Sequence, residues 1–138
     1  MAQRFPNNPI ITPESVTPSH TEWEVLGVYN PGAFKMGDEI NLLVRIIERP
    51  KQPDSETIRI PMIERNGSGW SLTYRSFSKK DPDVDWQRDP RFLYHGDDTY
   101  DVIYSHLRIA RSRDGKNFTL DEKPTFSGEE ELTVYGIH

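Results

Sequence analysis

Short stretches of alternating apolar and polar residues recur along this chain, each closed by a cluster of Gly, Asp, Asn or Pro, and that pattern predicts strands rather than helices. Residues 23–29 read as a short strand that enters a turn at Asn30-Pro31-Gly32, after which Ala33-Phe34-Lys35-Met36 resumes extended structure. Gly37-Asp38 predicts a tight reversal into residues 39–47, an apolar, β-branched run and the most core-like strand of the chain. A polar loop follows over 50–55. Residues 57–63 then alternate until Pro61 interrupts them, as suits an edge or a bulge. Asn66-Gly67-Ser68-Gly69 predicts a second hairpin turn, with residues 70–77 as its outgoing strand. Residues 78–99, charged and rich in Asp and Pro, read as a surface excursion or a binding loop. From Tyr100 to Ser112 one long strand is expected. Arg113-Asp114-Gly115-Lys116 turns it, residues 117–120 follow, and residues 129–138 form one more short strand.

The first twenty residues differ from the rest. Prolines at 6, 9, 13 and 18 remove backbone donors and favour a polyproline-like path, so residues 1–20 are expected to be an extended arm on a β domain at 21–138. With 138 residues, 34% of them apolar and 28% charged, the chain supports one modest core. Eleven prolines and nine glycines leave no room for long helices. The result is an all-β, antiparallel chain, with propeller, sandwich and barrel left open by periodicity.

Charge narrows the partners. A net charge of −5 argues against nucleic acid, whose backbone demands clustered Lys and Arg. Cysteine is absent and the N-terminus carries no apolar export run, so a cytoplasmic location is expected. No stretch reaches the roughly 18 apolar residues of a membrane-spanning helix, and no membrane partner is expected. Gly-x-Ser-x-Gly, His-Glu-x-x-His and phosphate-loop signatures are missing, and the histidines at 20, 95, 106 and 138 lack metal-ligand spacing. Neither a metal nor a cofactor is expected.

One ordered constellation carries chemistry. Val28-Tyr29-Asn30-Pro31-Gly32-Ala33 is followed by Asn41-Leu42-Leu43-Val44-Arg45, then by the run from Ser105 through His106, Arg108 and Asp114-Gly115 to Phe118, and finally by Tyr135-Gly136-Ile137. In this order and spacing the chain resembles glycoside hydrolase family 130, the mannoside phosphorylases and related hydrolases. The likeness begins near Asn8-Pro9 and covers the N-terminal portion of such an enzyme. It implies part of a five-bladed β-propeller, about two to three blades at roughly 40 to 50 residues each. It also implies a sugar site in which Asn30 and Arg45 contact the glycan. An amide both donates and accepts, and a guanidinium donates paired hydrogen bonds, so both residues suit sugar hydroxyls. Their structural alternatives are a turn at Asn30 and a strand-end Arg45 that reaches to solvent. Strand alternation sends Ser105, Leu107, Ile109 and Arg111 to one face and His106, Arg108, Ala110 and Ser112 to the other. Ser105, His106 and Arg108 complete the candidate substrate-binding set, with His106 and Arg108 lining a polar funnel or standing as solvated strand residues. Trp23, Trp70 and Trp86 are candidates for sugar stacking or for the core.

In the family, a Glu-Asp-Pro-Arg segment after the Tyr-Gly-Ile motif supplies the Asp that acts as general acid, and inorganic phosphate is the co-substrate. Here His138 stands where that Glu would be, and Asp89-Pro90-Arg91 copies the motif out of order, as a decoy. No catalytic residue is therefore assigned. The resemblance implies a truncated glycoside phosphorylase-like or glycosidase-like protein that binds or acts on β-mannosides but is not competent alone. The alternative is a small non-catalytic β domain for carbohydrate or protein binding. Open sheet edges predict association with a second copy or with a separate C-terminal chain.

Overall fold

Strand β1 (Trp23–Met36) and strand β2 (Glu39–Pro50) form a long hairpin in the computed structural model, which describes residues 6, 8–67 and 69–125. Gly37-Asp38 closes it, with Met36 opposite Glu39 and Gly37 at φ 61°, the positive value that the first central residue of a type II′ turn requires. Strand β3 (Thr57–Asn66) and strand β4 (Gly69–Ser78) make the second hairpin as a separate two-stranded sheet. Pro61 is tolerated there because a two-stranded sheet consists of edges. Then come β5 (Val84–Asp85), β6 (Phe92–His95) and β7 (Asp98–Asp101), a three-stranded sheet in their own order. Finally β8 (Tyr104–Ser112) and β9 (Thr119–Leu120) return to the first hairpin to give a four-stranded sheet, β1-β2-β8-β9. All pairings are antiparallel.

Several expectations need correction. Asn30-Pro31-Gly32 is not a turn between two strands: β1 runs straight through it. The register passes from Tyr29 opposite Arg45 to Gly32 opposite Leu43, so β1 carries one extra residue and bulges. Asn30 sits in that bulge at φ 44°, which Asn tolerates better than other side chains. A second bulge places Leu26 between the Val25–Glu48 and Gly27–Ile47 pairs. Residues 78–99 are not a bare excursion, because Val84 and Leu93 are buried and anchor β5 and β6. The long strand expected over 100–112 is broken at Val102-Ile103, where the chain leaves one sheet for another. The strand expected over 129–138, with Tyr135-Gly136-Ile137, lies outside the described residues.

Among the described residues of the arm, one 3-10 turn forms at Pro13–Ser15, where Pro13 occupies the first position that needs no donor. It packs on one face of the four-stranded sheet. Val16, Val44, Ile46 and Ala110 are the buried centre there, with Ile11 from the arm and Val25, Val28, Leu42, Phe118 and Leu120 around them. Each fully buried aliphatic side chain contributes about 1.5–3 kcal/mol. A second core joins the other two sheets: Ile60, Val84 and Leu93, flanked by Ile58, Met62, Phe77, Trp86, Tyr100 and Val102. Ile58, Ile60 and Met62 are alternate residues of β3, so the period-two pattern placed them correctly.

The described residues form no closed propeller. The four-stranded sheet has the strand number of a blade, but draws β8 and β9 from beyond two intervening sheets instead of from four consecutive strands. No helix of the described residues is long and apolar enough to cross a membrane.

Candidate functional site

The four-stranded sheet has two faces of different character. Beneath the arm, the inner face carries Val44, Ile46 and Glu48 of β2 against Arg108, His106 and Tyr104 of β8. The outer face carries Arg45 and Ile47 of β2, Leu107 and Ser105 of β8, and Gly27 and Tyr29 of β1.

Glu48, His106 and Arg108 are each fully buried on the inner face. Glu48 Oε1 lies 2.8 Å from His106 Nε2 and 3.1 Å from Arg108 Nη2. An ionised carboxylate only accepts, so Nε2 carries the proton in that contact. Ser19 completes the group from the arm: its backbone N donates to Glu48 Oε2 at 2.8 Å and its hydroxyl to Oε1 at 3.0 Å. Arg108 also donates to the Thr17 carbonyl and to the Glu122 carbonyl, both at 2.9 Å, and to Ser19 Oγ at 3.1 Å. Burial pushes the Glu48 carboxyl up, but the hydrogen bonds from His106 and Ser19 and the charge of His106 outweigh it and hold the group below its ordinary value. For Arg108, burial pushes the guanidinium down and the Glu48 charge opposes it. The cluster clamps the arm, β2, β8 and the segment after β9 together.

The outer face lies opposite the arm. Tyr29 is exposed, with the Arg45 guanidinium carbon 5.8 Å from its ring centroid. Arg45 Nε and Ser105 Oγ are shielded from solvent and have no hydrogen-bond partner among the described residues. Asn30 lies in the bulge directly after Tyr29, whose opposite residue is Arg45.

The five substrate-binding candidates therefore divide. Asn30, Arg45 and Ser105 gather on or beside the outer face; His106 and Arg108 point the other way into the clamp. A polar funnel lined by His106 and Arg108 is not what the fold builds, and they are not solvated strand residues either. Sequence reasoning missed Glu48 and Ser19. A signal existed for Glu48, since it continues the alternate positions of Val44 and Ile46 and so falls on the buried side of β2. Trp23 is fully buried and Trp86 belongs to the second core with Lys79 Nζ 4.7 Å over its ring, so neither is a free stacking surface. The Trp70 side chain lies outside the described residues.

Asp89 is paired with its own neighbour two residues on. Arg91 grips it with Nε to Oδ1 at 3.0 Å and Nη2 to Oδ2 at 2.7 Å, and these contacts lower its pKa to about 2. A general acid needs a pKa near the working pH. Asp114 is likewise committed to its turn, accepting from the backbone N–H groups of Asn117 and Lys116 and from Ser112 Oγ, which hold it well below the usual carboxylate range.

No family model matches the chain. A β-1,2-mannobiose phosphorylase from Listeria innocua is 37% identical to it, over 97% of this chain and 38% of that protein. The solved structure of that enzyme from Listeria innocua in complex with β-1,2-mannobiose superposes with a TM-score of 0.73 at 37% identity, covering 89% of this chain and 35% of the other. The chain is thus homologous, along nearly its whole length, to a β-1,2-mannobiose phosphorylase of glycoside hydrolase family 130, and spans 38% of the length of that relative.

Proposed function

We propose that this chain forms the N-terminal strands of a glycoside phosphorylase for β-mannosides, with Asn30, Arg45 and Ser105 on the sugar side. One observation supports the reading above others: Asn30, Arg45 and Ser105 gather on or beside the face of the sheet opposite the arm, with Asn30 in the bulge directly after Tyr29, whose opposite residue is Arg45. Bulges re-aim side chains next to binding sites. The Asn30 amide would donate to one sugar hydroxyl and accept from another, and the Arg45 guanidinium would donate to a third. In the reaction that the family resemblance implies, phosphate attacks the anomeric carbon with inversion while a carboxylic acid protonates the departing oxygen. Both the acid and the phosphate site belong to the part of such an enzyme that this stretch does not match. The role left to this chain is to bind and orient the mannoside. His106 and Arg108 serve it indirectly by fixing β8 against β2.

Calorimetric titration with β-1,2-mannobiose tests the reading. Arg45→Ala should weaken binding by roughly 10- to 100-fold, the value of hydrogen bonds from a charged donor. Unchanged affinity in that variant, or no heat from the native chain at millimolar sugar, would reject the site.

A further inference from the structure

We propose that Tyr29 is the stacking platform of this site, its ring receiving the C–H face of a hexopyranose; the role rests on reading the outer face as the sugar side. The decisive feature lies beneath the ring. Gly27 is buried two residues before Tyr29 on the same face, and a Cβ built there would fall 2.2 Å from Tyr29 Cε2 and 2.4 Å from both Cζ and Oη. Real Cβ atoms do not approach carbon so closely. Only glycine lets the ring lie down along the sheet in this position.

The ring is thus supported from below, while the residue stays 45% exposed. The two bulges of β1, at Leu26 and at Asn30-Pro31, bracket the segment Gly27-Val28-Tyr29, so its geometry is set at both ends. Arg45 reaches over the ring from the opposite position of β2, its guanidinium carbon 5.8 Å from the ring centroid. A hexopyranose matches this arrangement in two respects. Its ring C–H groups form an apolar face that packs on the electron-rich face of an aromatic ring, and its hydroxyls project around the edge to meet a donor such as Arg45. A ring already laid flat loses little side-chain freedom on binding, so the contact is preorganised. The other aromatic residues described above differ here: Trp23 is enclosed in the first core and Trp86 is packed into the second.

The test is a set of titrations of the 138-residue chain with β-1,2-mannobiose, alongside thermal melts to confirm folding. Tyr29→Phe keeps the flat face and should bind within about threefold of the native chain. Tyr29→Leu keeps apolar bulk without that face and should lose about tenfold or more. Gly27→Ala, which leaves the tyrosine in place but displaces its ring, should show a similar loss. Native affinity in Tyr29→Leu overturns the platform while the effect of Arg45→Ala still upholds the sugar site. Equal losses in Tyr29→Phe and Tyr29→Leu overturn it also, by assigning the contact to the hydroxyl. Absence of binding by the native chain removes the site and the platform together.

Discussion

Replacing Glu48 with alanine should destabilise the fold by about 3–5 kcal/mol, the loss expected when one partner of a buried ion pair is removed. Two donors that converge on its carboxylate, His106 Nε2 and Arg108 Nη2, would be left facing each other in the core. The Ser19 backbone N–H and hydroxyl would lose their acceptor as well, so the arm should loosen with the sheet. Denaturant unfolding of the two proteins measures the difference, and a change below about 1 kcal/mol would mean that the cluster is not the clamp described above. Glu48→Gln retains an acceptor and should lose less. The same carboxylate gives an acid limb to stability. Its folded pKa lies below the ordinary 4.5, so the folded state binds its proton less readily than the unfolded state. The stabilisation is complete above about pH 4.5 and disappears as pH falls through the lowered folded value. Protonation would leave Arg108 without a counter-charge. The acid limb should therefore be shallower in Glu48→Gln than in the native chain.

Trp23→Ala should cost a similar amount, about 3–5 kcal/mol, through the cavity left by the largest fully buried side chain. Trp23 opens β1 opposite Pro50 and meets the edge of Tyr104 at 5.9 Å between centroids, 86° between planes. It therefore ties β1 to β8 across the end of the sheet at which Pro50 lies. Trp23→Phe should be much milder, because it preserves an aromatic ring and also removes a buried Nε1–H that has no partner among the described residues. Thermal melts of both variants decide the matter: equal losses would show that the indole N–H, and not the ring volume, holds the position.

Local chemistry was legible in the sequence, and long-range pairing was not. Gly37-Asp38 and Asn66 to Gly69 marked both hairpins because turn residues act within a few positions of themselves. The alternation in β3 and β8 sorted their side chains correctly into two faces. Which face would be covered was a different question. His106 and Arg108 looked like the polar, open side, yet they are the buried one, because Glu48, 58 residues before His106, pairs with His106 Nε2 and Ser19 from the arm accepts from Arg108 Nη2. Nothing within β8 reports a partner that distant. Asn30-Pro31-Gly32 shows the same limit in reverse: its composition is that of a turn, but pairing to β2 on both sides holds the strand straight and converts the turn into a bulge. The family resemblance pointed to Asn30 and Arg45, whereas Tyr29 emerged only once Gly27 was seen to make room for its ring.

The buried triad also decides which alignment of β2 and β8 is allowed. Ile46 faces His106 and Val44 faces Arg108, and because side chains alternate, sliding β8 by one residue would turn both donors outward and bring Ser105 and Leu107 inward. Glu48 would then be sealed in the core with no counter-charge, whereas apolar side chains alone would tolerate the slip far better. Polar groups placed where a purely apolar core would be simpler thus act as a key for strand register, penalising a one-residue slip more heavily than an apolar core would.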